Sequence, residues 1–181
     1  MPIDQHSSLE TGSQPSVTSA GTSRADSETR PAGAKLRVAL IYQRNVQADG
    51  HLLHLIEREL DGKGYRVFVD RDRVFGMEWA QEIERQIRQA DVVIPLLSEN
   101  FAENEMFAFE VELAHEACQK QTHPAQFVPV RVNYDGSLPE LLAGILDPVP
   151  PLFWQGPQDD GRLIAELLNR FQNFSDVSAP P

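Results

Sequence analysis

The sequence predicts one α/β domain of the flavodoxin-like class, a three-layer sandwich in which a five-stranded parallel sheet carries helices on both faces. Short apolar runs alternate with amphipathic stretches about five times between residues 35 and 172. Such alternation implies right-handed crossovers between parallel strands. A chain of 181 residues is long enough for one ordinary core and too short for two such domains with linkers.

The strands are predicted from short apolar runs bounded by polar residues. The run over 91–97 is apolar at every position after its aspartate, which is typical of a central strand covered on both faces. The five predicted strands cover residues 36–42, 65–70, 91–97, 127–132 and 152–154. The natural order for such a chain is 2-1-3-4-5, in which the strand order reverses between the first and third strands.

The helices are predicted from apolar residues that recur every three or four positions. Asp49 stands where an N-cap is expected for the first helix, and Gly62 and Gly64 supply its end. The third helix is predicted from Glu105 to about Gln119. The predicted apolar stripes are Trp79, Ile83 and Ile87 in the second helix, Phe109, Leu113 and Ala117 in the third, and Leu163, Leu167 and Phe171 in the last. A further short helix is predicted over 138–145.

The two ends of the chain differ from this core in composition. Residues 1–34 are rich in Ser, Thr, Gly, Ala and Pro and nearly free of large apolar residues, so they cannot bury enough surface to offset the entropy of ordering. We predict a disordered N-terminal arm over 1–34, a folded domain over 35–172 and a flexible C-terminal end over 173–181.

Charge and composition exclude several classes of protein. The chain has 27 acidic and 16 basic side chains, a net charge of −11, which is the wrong sign for binding nucleic acid directly. Its single cysteine can form neither an internal disulfide nor a cysteine-rich metal site, which favours a cytoplasmic location. The longest strongly apolar stretch, about 92–97, is far short of the roughly 20 residues that span a bilayer. No membrane contact is expected.

The motifs of several enzyme classes are missing from the sequence. There is no Gly-x-Gly-x-x-Gly, no Gly-Lys-Ser/Thr phosphate loop and no Gly-x-Ser-x-Gly. His51 and His54 form a close pair without a third ligand, so no metal site is predicted. A response-regulator receiver shares the predicted topology but needs acidic residues after the first strand and an aspartate after the third. The first strand here ends Ile-Tyr-Gln and the third Leu-Leu-Ser.

Four segments of the chain form an ordered pattern. They are the first strand with Tyr42, Val-Phe-Val-Asp-Arg-Asp over 67–72, Gly-Met-Glu-Trp over 76–79, and Ala-Asp-Val-Val-Ile-Pro-Leu-Leu-Ser-Glu-Asn-Phe over 90–101. A glutamate follows in the next helix. Together they resemble a Toll/interleukin-1 receptor (TIR) domain of the bacterial, NAD⁺-hydrolase-like kind. The resemblance covers essentially residues 35–172. It implies that residues 71–78 form the mobile loop of that family after its second strand.

The resemblance also implies a catalytic glutamate. The family pattern often reads Ser-x-x-Tyr/Phe-x-x-Ser-x-Trp-x-x-x-Glu, and the stretch from Ser98 to Glu110 resembles it, with Glu110 at the position of the glutamate and Met106 where tryptophan is usual. Glu112 is a rival, but it lies about 200° around a helix from Glu110, so the two cannot face the same cleft. The first strand also departs from the family pattern, since Ile41 stands where the family commonly has serine. We therefore assign Glu110 as the catalytic residue.

The activity that the resemblance implies is cleavage of NAD⁺ to nicotinamide and ADP-ribose or a cyclic ADP-ribose isomer. NAD⁺ is the substrate, and no cofactor is expected. Residues expected to contact it are Tyr42, Gln43, Arg44, Arg73, Phe75, Gly76, Trp79 and Ser98. Family resemblance also implies activation by self-assembly with other TIR domains, as a homo-oligomer or filament, in immune-type signalling, antiviral defence or NAD⁺ depletion.

Other interpretations stay open at this point. A non-enzymatic TIR module would act by docking to other TIR domains, and a nucleoside deoxyribosyltransferase has a related fold and also uses a glutamate. The Gly-x-x-Trp segment over 76–79 argues against the transferase. Several of these residues also have a purely structural interpretation. Trp79 would pack in the core, Ser98 would stabilise a turn, and Gly76 would give the loop backbone freedom. Arg44 and Arg73 would be surface charges.

Overall fold

In a computed structural model of the chain, the described residues are 35–69, 77–120 and 124–177. The predicted arm over 1–34, residues 70–76 after the second strand and residues 178–181 lie outside them. Within these ranges, none of the helices is long and apolar enough to cross a membrane.

The strands follow the apolar runs of the sequence closely. They are β1 (Arg37–Ile41), β2 (Arg66–Val69), β3 (Val92–Leu97), β4 (Gln126–Phe127), β5 (Val130–Val132) and β6 (Leu152–Trp154). All pair in parallel, in the order β2-β1-β3-β5-β6, with β4 paired to β3. The predicted flavodoxin-like order is confirmed. All six residues of β3 are buried, as expected for a central strand.

The fourth predicted strand is divided into β4 and β5. The pairing register with β3 is the same on both sides of the break, Val93 opposite Phe127 and Leu96 opposite Val130. The break falls where Pro129 lies opposite Pro95. Because proline has no amide hydrogen to donate, Pro95 cannot give the next hydrogen bond of this ladder. The structure therefore has six strands where five were predicted, because the fourth predicted strand is interrupted at proline.

In the described part of the chain, five α-helices cover the two faces of this sheet. They are α1 (Gln47–Asp61), α2 (Met77–Gln89), α3 (Glu105–Gln119), α4 (Glu140–Leu146) and α5 (Asp160–Val177). One apolar core lies between the sheet and α1 with α5, and a second lies between the sheet and α2, α3 and α4. The predicted three-layer sandwich with helices on both faces is confirmed.

The structure corrects the predicted N-cap of α1 and the predicted buried face of α3. α1 begins two residues before Asp49, which is buried in the first turn, so Val46 and not Asp49 is the N-cap. Phe109 is 47% exposed, and the buried residues of α3 are Phe107, Val111, Ala114, Ala117 and Cys118. α5 continues to Val177, so this helix overlaps the first five residues of the predicted C-terminal end over 173–181.

A polar cluster joins α1, β6 and α5 next to the first core. Trp154, which is buried, donates from Nε1 to Asp160 Oδ1 at 2.8 Å. His51 Nε2 lies 3.0 Å from Asp160 Oδ2, and the His51 and Trp154 rings are 5.6 Å apart. The Asp160 carboxylate therefore connects α5 to the neighbouring β6 and to α1, which is distant in the sequence.

Replacing Trp154 with phenylalanine is expected to lower the free energy of unfolding by about 1–2 kcal/mol, because the ring packing is largely kept while a hydrogen bond to a carboxylate is lost. Urea unfolding followed by circular dichroism measures the change. Phe153→Leu, at the exposed neighbouring position, is the control and should change stability by less than about 0.5 kcal/mol. Equal effects of the two variants would contradict a role for the indole N–H.

Candidate functional site

The carboxyl ends of β1 and β3 lie side by side, since Leu40 pairs with Ile94 and Ile41 with Pro95. The chain passes from β1 to β2 on one side and then returns to β3 on the other, so the strand order reverses between β1 and β3. In open α/β sheets such a reversal leaves a crevice in which ligands bind. The loops that leave β1 and β3 therefore define the candidate site.

Gln43, two residues after β1, joins these two loops. Its Nε2 donates to Ser98 Oγ at 2.7 Å and to the carbonyl oxygen of Glu99 at 3.1 Å. Its Oε1 accepts a hydrogen bond from Asn104 Nδ2 at 3.2 Å. Both donor hydrogens and the oxygen of the amide thus have protein partners, and the end of β1 is bonded to the loop after β3.

Asn104 caps α3 while it contacts Gln43. Its Oδ1 accepts from the backbone N–H of Phe107 at 3.1 Å, which satisfies one of the amides that a helix start leaves unpaired. The same side chain therefore fixes the start of α3 to the loop after β1. The sequence interpretation did not select Asn104, although an asparagine directly before a helix is the ordinary N-cap signal.

Asp49 is fully buried beneath the loop after β1. Its Oδ2 accepts from the backbone N–H of Gln43 at 2.8 Å, and its Oδ1 accepts no hydrogen bond from the described part of the chain. Burial raises the pKa of Asp49 to about 6, although hydrogen bonds from the Gln43 amide and the Ser98 side chain lower it. The signal for this role was an aspartate standing in the apolar stripe of α1, three residues before Leu52.

Phe101 anchors the loop after β3 from the apolar side. It is completely buried and makes edge-to-face contacts with Phe107 at 5.8 Å and with Tyr134 at 4.9 Å between ring centroids. Such pairs stabilise beyond their buried area. The loop is therefore held on one side by aromatic packing and on the other by Gln43.

Glu110 lies in the second turn of α3 and is half-buried. It follows Asn104 by six residues, roughly 9 Å along the helix axis at about 1.5 Å per residue. It lies about 40° around the helix from the buried Ala114, at the edge of the face that packs on the sheet. The assigned glutamate is thus carried by the helix whose start is bonded to the crevice.

The two departures around Glu110 have defined positions. Glu112 is also half-buried but lies about 200° around the helix axis from Glu110. Met106, which stands where the family pattern has tryptophan, is 41% exposed one turn before Glu110. Burial alone does not separate the two glutamates, whereas their positions on the helix do.

The remaining predicted ligand contacts fall into three groups. Gln43 and Ser98 contact each other and are 7% and 1% exposed. Tyr42 and Arg44 are half-buried, and Tyr42 packs against the core beneath α1 and α5. Predictions for three residues lie outside the described residues, namely Arg73, Phe75 and Gly76. Trp79 lies in α2, and its side chain is likewise outside them.

Other parts of the described chain offer less for chemistry. A shallow cavity at the amino-terminal ends of β1 and β2, opposite the crevice, is lined by Arg37, Arg66, Phe68 and Gln86 with neighbouring residues. It contains no carboxylate among its lining side chains. Within the described ranges, no three His, Cys, Asp or Glu side chains are grouped so that they would hold a metal ion.

The fold and the polar crevice define a flavodoxin-like α/β domain with a site at the reversal of strand order. The family model of the TIR domain matches residues 38–168, most of the folded part. The chain therefore belongs to the TIR domain family. Among curated proteins, none matches this sequence significantly.

Several solved structures share the fold. A prokaryotic SEFIR domain is 16% identical with a TM-score of 0.54, covering 81% of this chain and 98% of that chain. The IL-17 receptor B SEFIR domain is 16% identical with a TM-score of 0.51, over 76% and 98%. The TIR domain heterodimer of RPS4 and RRS1 is 19% identical with a TM-score of 0.53, over 77% and 98%. At these identities the likeness concerns the fold alone.

Proposed function

We propose that this TIR domain is an NAD⁺ glycohydrolase in which Glu110 is the catalytic residue. The observation that carries the proposal is the position of Glu110, half-buried in the second turn of the helix whose N-cap is bonded to the loop after β1. The family assignment supports it, because the motif from Ser98 to Glu110 resembles that of NAD⁺-cleaving members. We further propose a cytoplasmic role in immune-type signalling, antiviral defence or NAD⁺ depletion.

The chemistry suits a single carboxylate. The bond from ribose C1′ to the nicotinamide nitrogen breaks, both bonding electrons leave with nicotinamide, and positive charge develops on the sugar. A nearby carboxylate stabilises that oxocarbenium-like state. Because nicotinamide leaves as a neutral base, no general acid is needed. Water then adds to C1′ and loses a proton to give ADP-ribose, or an atom of the same molecule adds and gives a cyclic isomer.

The charges around the crevice set the requirements for binding NAD⁺. Glu99, Glu103 and Glu105 are exposed around the start of α3, and they would repel the pyrophosphate. We expect Arg44, half-buried in the loop after β1, and Arg73 to offset that charge. We expect Tyr42, Phe75, Gly76 and Trp79 to contact the nucleotide from the loops after β1 and β2.

We also propose that the enzyme is active in an assembly with other TIR domains. The heterodimer formed by the TIR domains of RPS4 and RRS1 supports association between domains of this fold. The exposed side chains of Met106 and Phe109, one turn apart on α3, offer apolar area for such contacts.

The second candidate is a non-enzymatic TIR module, which the same exposed apolar side chains favour. It would bind other TIR domains and leave NAD⁺ intact. Two solved structures of this fold are SEFIR domains, one of them from a receptor. The two candidates differ in one measurable property, the release of nicotinamide.

The test incubates the full 181-residue chain with NAD⁺ and measures nicotinamide by chromatography. We expect release to rise more steeply than in proportion to protein concentration, and to rise further when the chain is clustered on a multivalent scaffold, because assembly activates it. A heat-denatured sample gives the background. No release above background from the clustered protein would refute the glycohydrolase and leave the non-enzymatic module.

A further inference from the structure

We propose that Gln43, Ser98 and Asn104 are positioning residues, which fix the start of α3 and with it Glu110 relative to the crevice, and that Asp49 holds this set from below. The inference rests on the proposed function of Glu110. It also changes the expected role of Gln43 and Ser98, from contacts with NAD⁺ to contacts within the protein.

The first step is the saturation of Gln43. Its three side-chain hydrogen bonds go to Ser98 Oγ, the Glu99 carbonyl oxygen and Asn104 Nδ2. A ligand that used this amide would have to replace one of these bonds in a place where the residue is only 7% exposed. Because a buried polar group that loses its partner is costly, the protein contacts are the stable arrangement.

The second step is the double use of Asn104. Its Oδ1 is the cap acceptor for Phe107 N–H, and its Nδ2 is the donor to Gln43. The two functions lie on different atoms of one side chain. A substitution can therefore remove the link to Gln43 and keep the cap.

The third step is the support from α1. The Asp49 carboxylate accepts from the backbone N–H of Gln43 at 2.8 Å, so the main chain of the loop after β1 is fixed as well as the side chain. Asp49 is fully buried and belongs to a helix on the opposite face of the sheet from α3. The contacts thus run from α1, across the end of the sheet, to the start of α3.

The test uses Asn104→Asp and Asn104→Ser. Aspartate and serine are both good N-caps, but neither can donate to Gln43 from a side-chain amide. Asn169→Asp, at an exposed position on α5, is the matched control for the added charge. We expect both Asn104 variants to stay folded and to unfold only slightly below the wild-type temperature, since Gln43 Oε1 loses its donor. They should keep KM for NAD⁺ and lose about tenfold in kcat, since small misplacements of a reacting group are costly.

Two measurements separate this inference from the proposed function. If the wild type releases nicotinamide and both Asn104 variants match it in kcat, the positioning role is wrong while the glycohydrolase stands. If the wild type releases none, the proposed function fails, and hydrogen exchange tests positioning by itself. Backbone amides over 105–111 should then exchange faster in both Asn104 variants than in wild type and Asn169→Asp, and equal exchange would overturn the inference. A fall in kcat that comes with a large fall in unfolding temperature or a higher KM would also overturn it, since that indicates only a damaged fold.

Discussion

Glu110→Gln is expected to reduce nicotinamide release by the clustered protein about 100-fold or more. The substitution keeps the size of the side chain but removes the negative charge that would stabilise the oxocarbenium-like transition state. Loss of one such electrostatic contact in other enzymes costs roughly 100- to 1,000-fold. The measurement is the initial rate of nicotinamide release at saturating NAD⁺.

Glu112→Gln is the matched control for this result. Glu112 lies on the same helix and is half-buried like Glu110, but it lies about 200° away around the helix axis. Its substitution by glutamine removes the same negative charge. We expect its rate to stay within about twofold of the wild type. If Glu112→Gln loses the activity and Glu110→Gln keeps it, the assignment of the two glutamates is reversed. If neither variant changes the rate, α3 does not carry the catalytic group.

Asp49→Asn is expected to change how the stability of the domain depends on pH. Burial raises the pKa of Asp49 from 3.8 to about 6, so the folded protein binds this proton more tightly than the unfolded chain. The resulting stabilisation is fully present below pH 3.8 and is lost as the pH rises through about 6. Asparagine does not titrate, so the variant lacks this loss.

The stabilisation that the wild type loses as the pH rises is roughly 3 kcal/mol, at about 1.4 kcal/mol for each unit of pKa difference between the folded and unfolded chain. The free energy of unfolding of Asp49→Asn, taken relative to wild type, should rise by about that amount between pH 4 and pH 7.5, whatever its value at pH 4. Urea unfolding at four or five pH values measures it, with Asp61→Asn, at an exposed position on the same helix, as the control. Parallel curves for wild type and Asp49→Asn would show that folding does not raise the pKa of this carboxyl.

The sequence predicted the framework of the site well, because the framework depends on local patterns. The uninterrupted apolar run of β3 indicated a central strand, and its position in the sheet confirms this. The repeats of Leu163, Leu167 and Phe171 identified the buried face of α5. Alternation of such segments was sufficient to predict the parallel sheet and the point where its order reverses.

The errors arose where one local rule competed with another or with tertiary contacts. Phe109 fits a four-residue apolar repeat with Leu113, but Phe107 and Val111 occupy the face that meets the sheet. Asp49 satisfies the rule for an N-cap, yet the helix starts earlier and buries it. The sequence pattern does not specify which side of α3 faces the sheet, nor that the loop after β1 covers Asp49.

The sequence by itself determined the class of fold and the crevice between the first and third strands, since apolar periodicity is a property of neighbouring residues. Its resemblance to the TIR family singled out Glu110 as the candidate glutamate. Only the tertiary structure showed that Gln43 bonds to Ser98 and Asn104, across 55 and 61 positions of the chain, and that Asp49 supports it from another helix. Hydrogen bonds of this kind depend on distances of about 3 Å between segments that the chain brings together only on folding. Their partners therefore leave no periodic signal in the sequence.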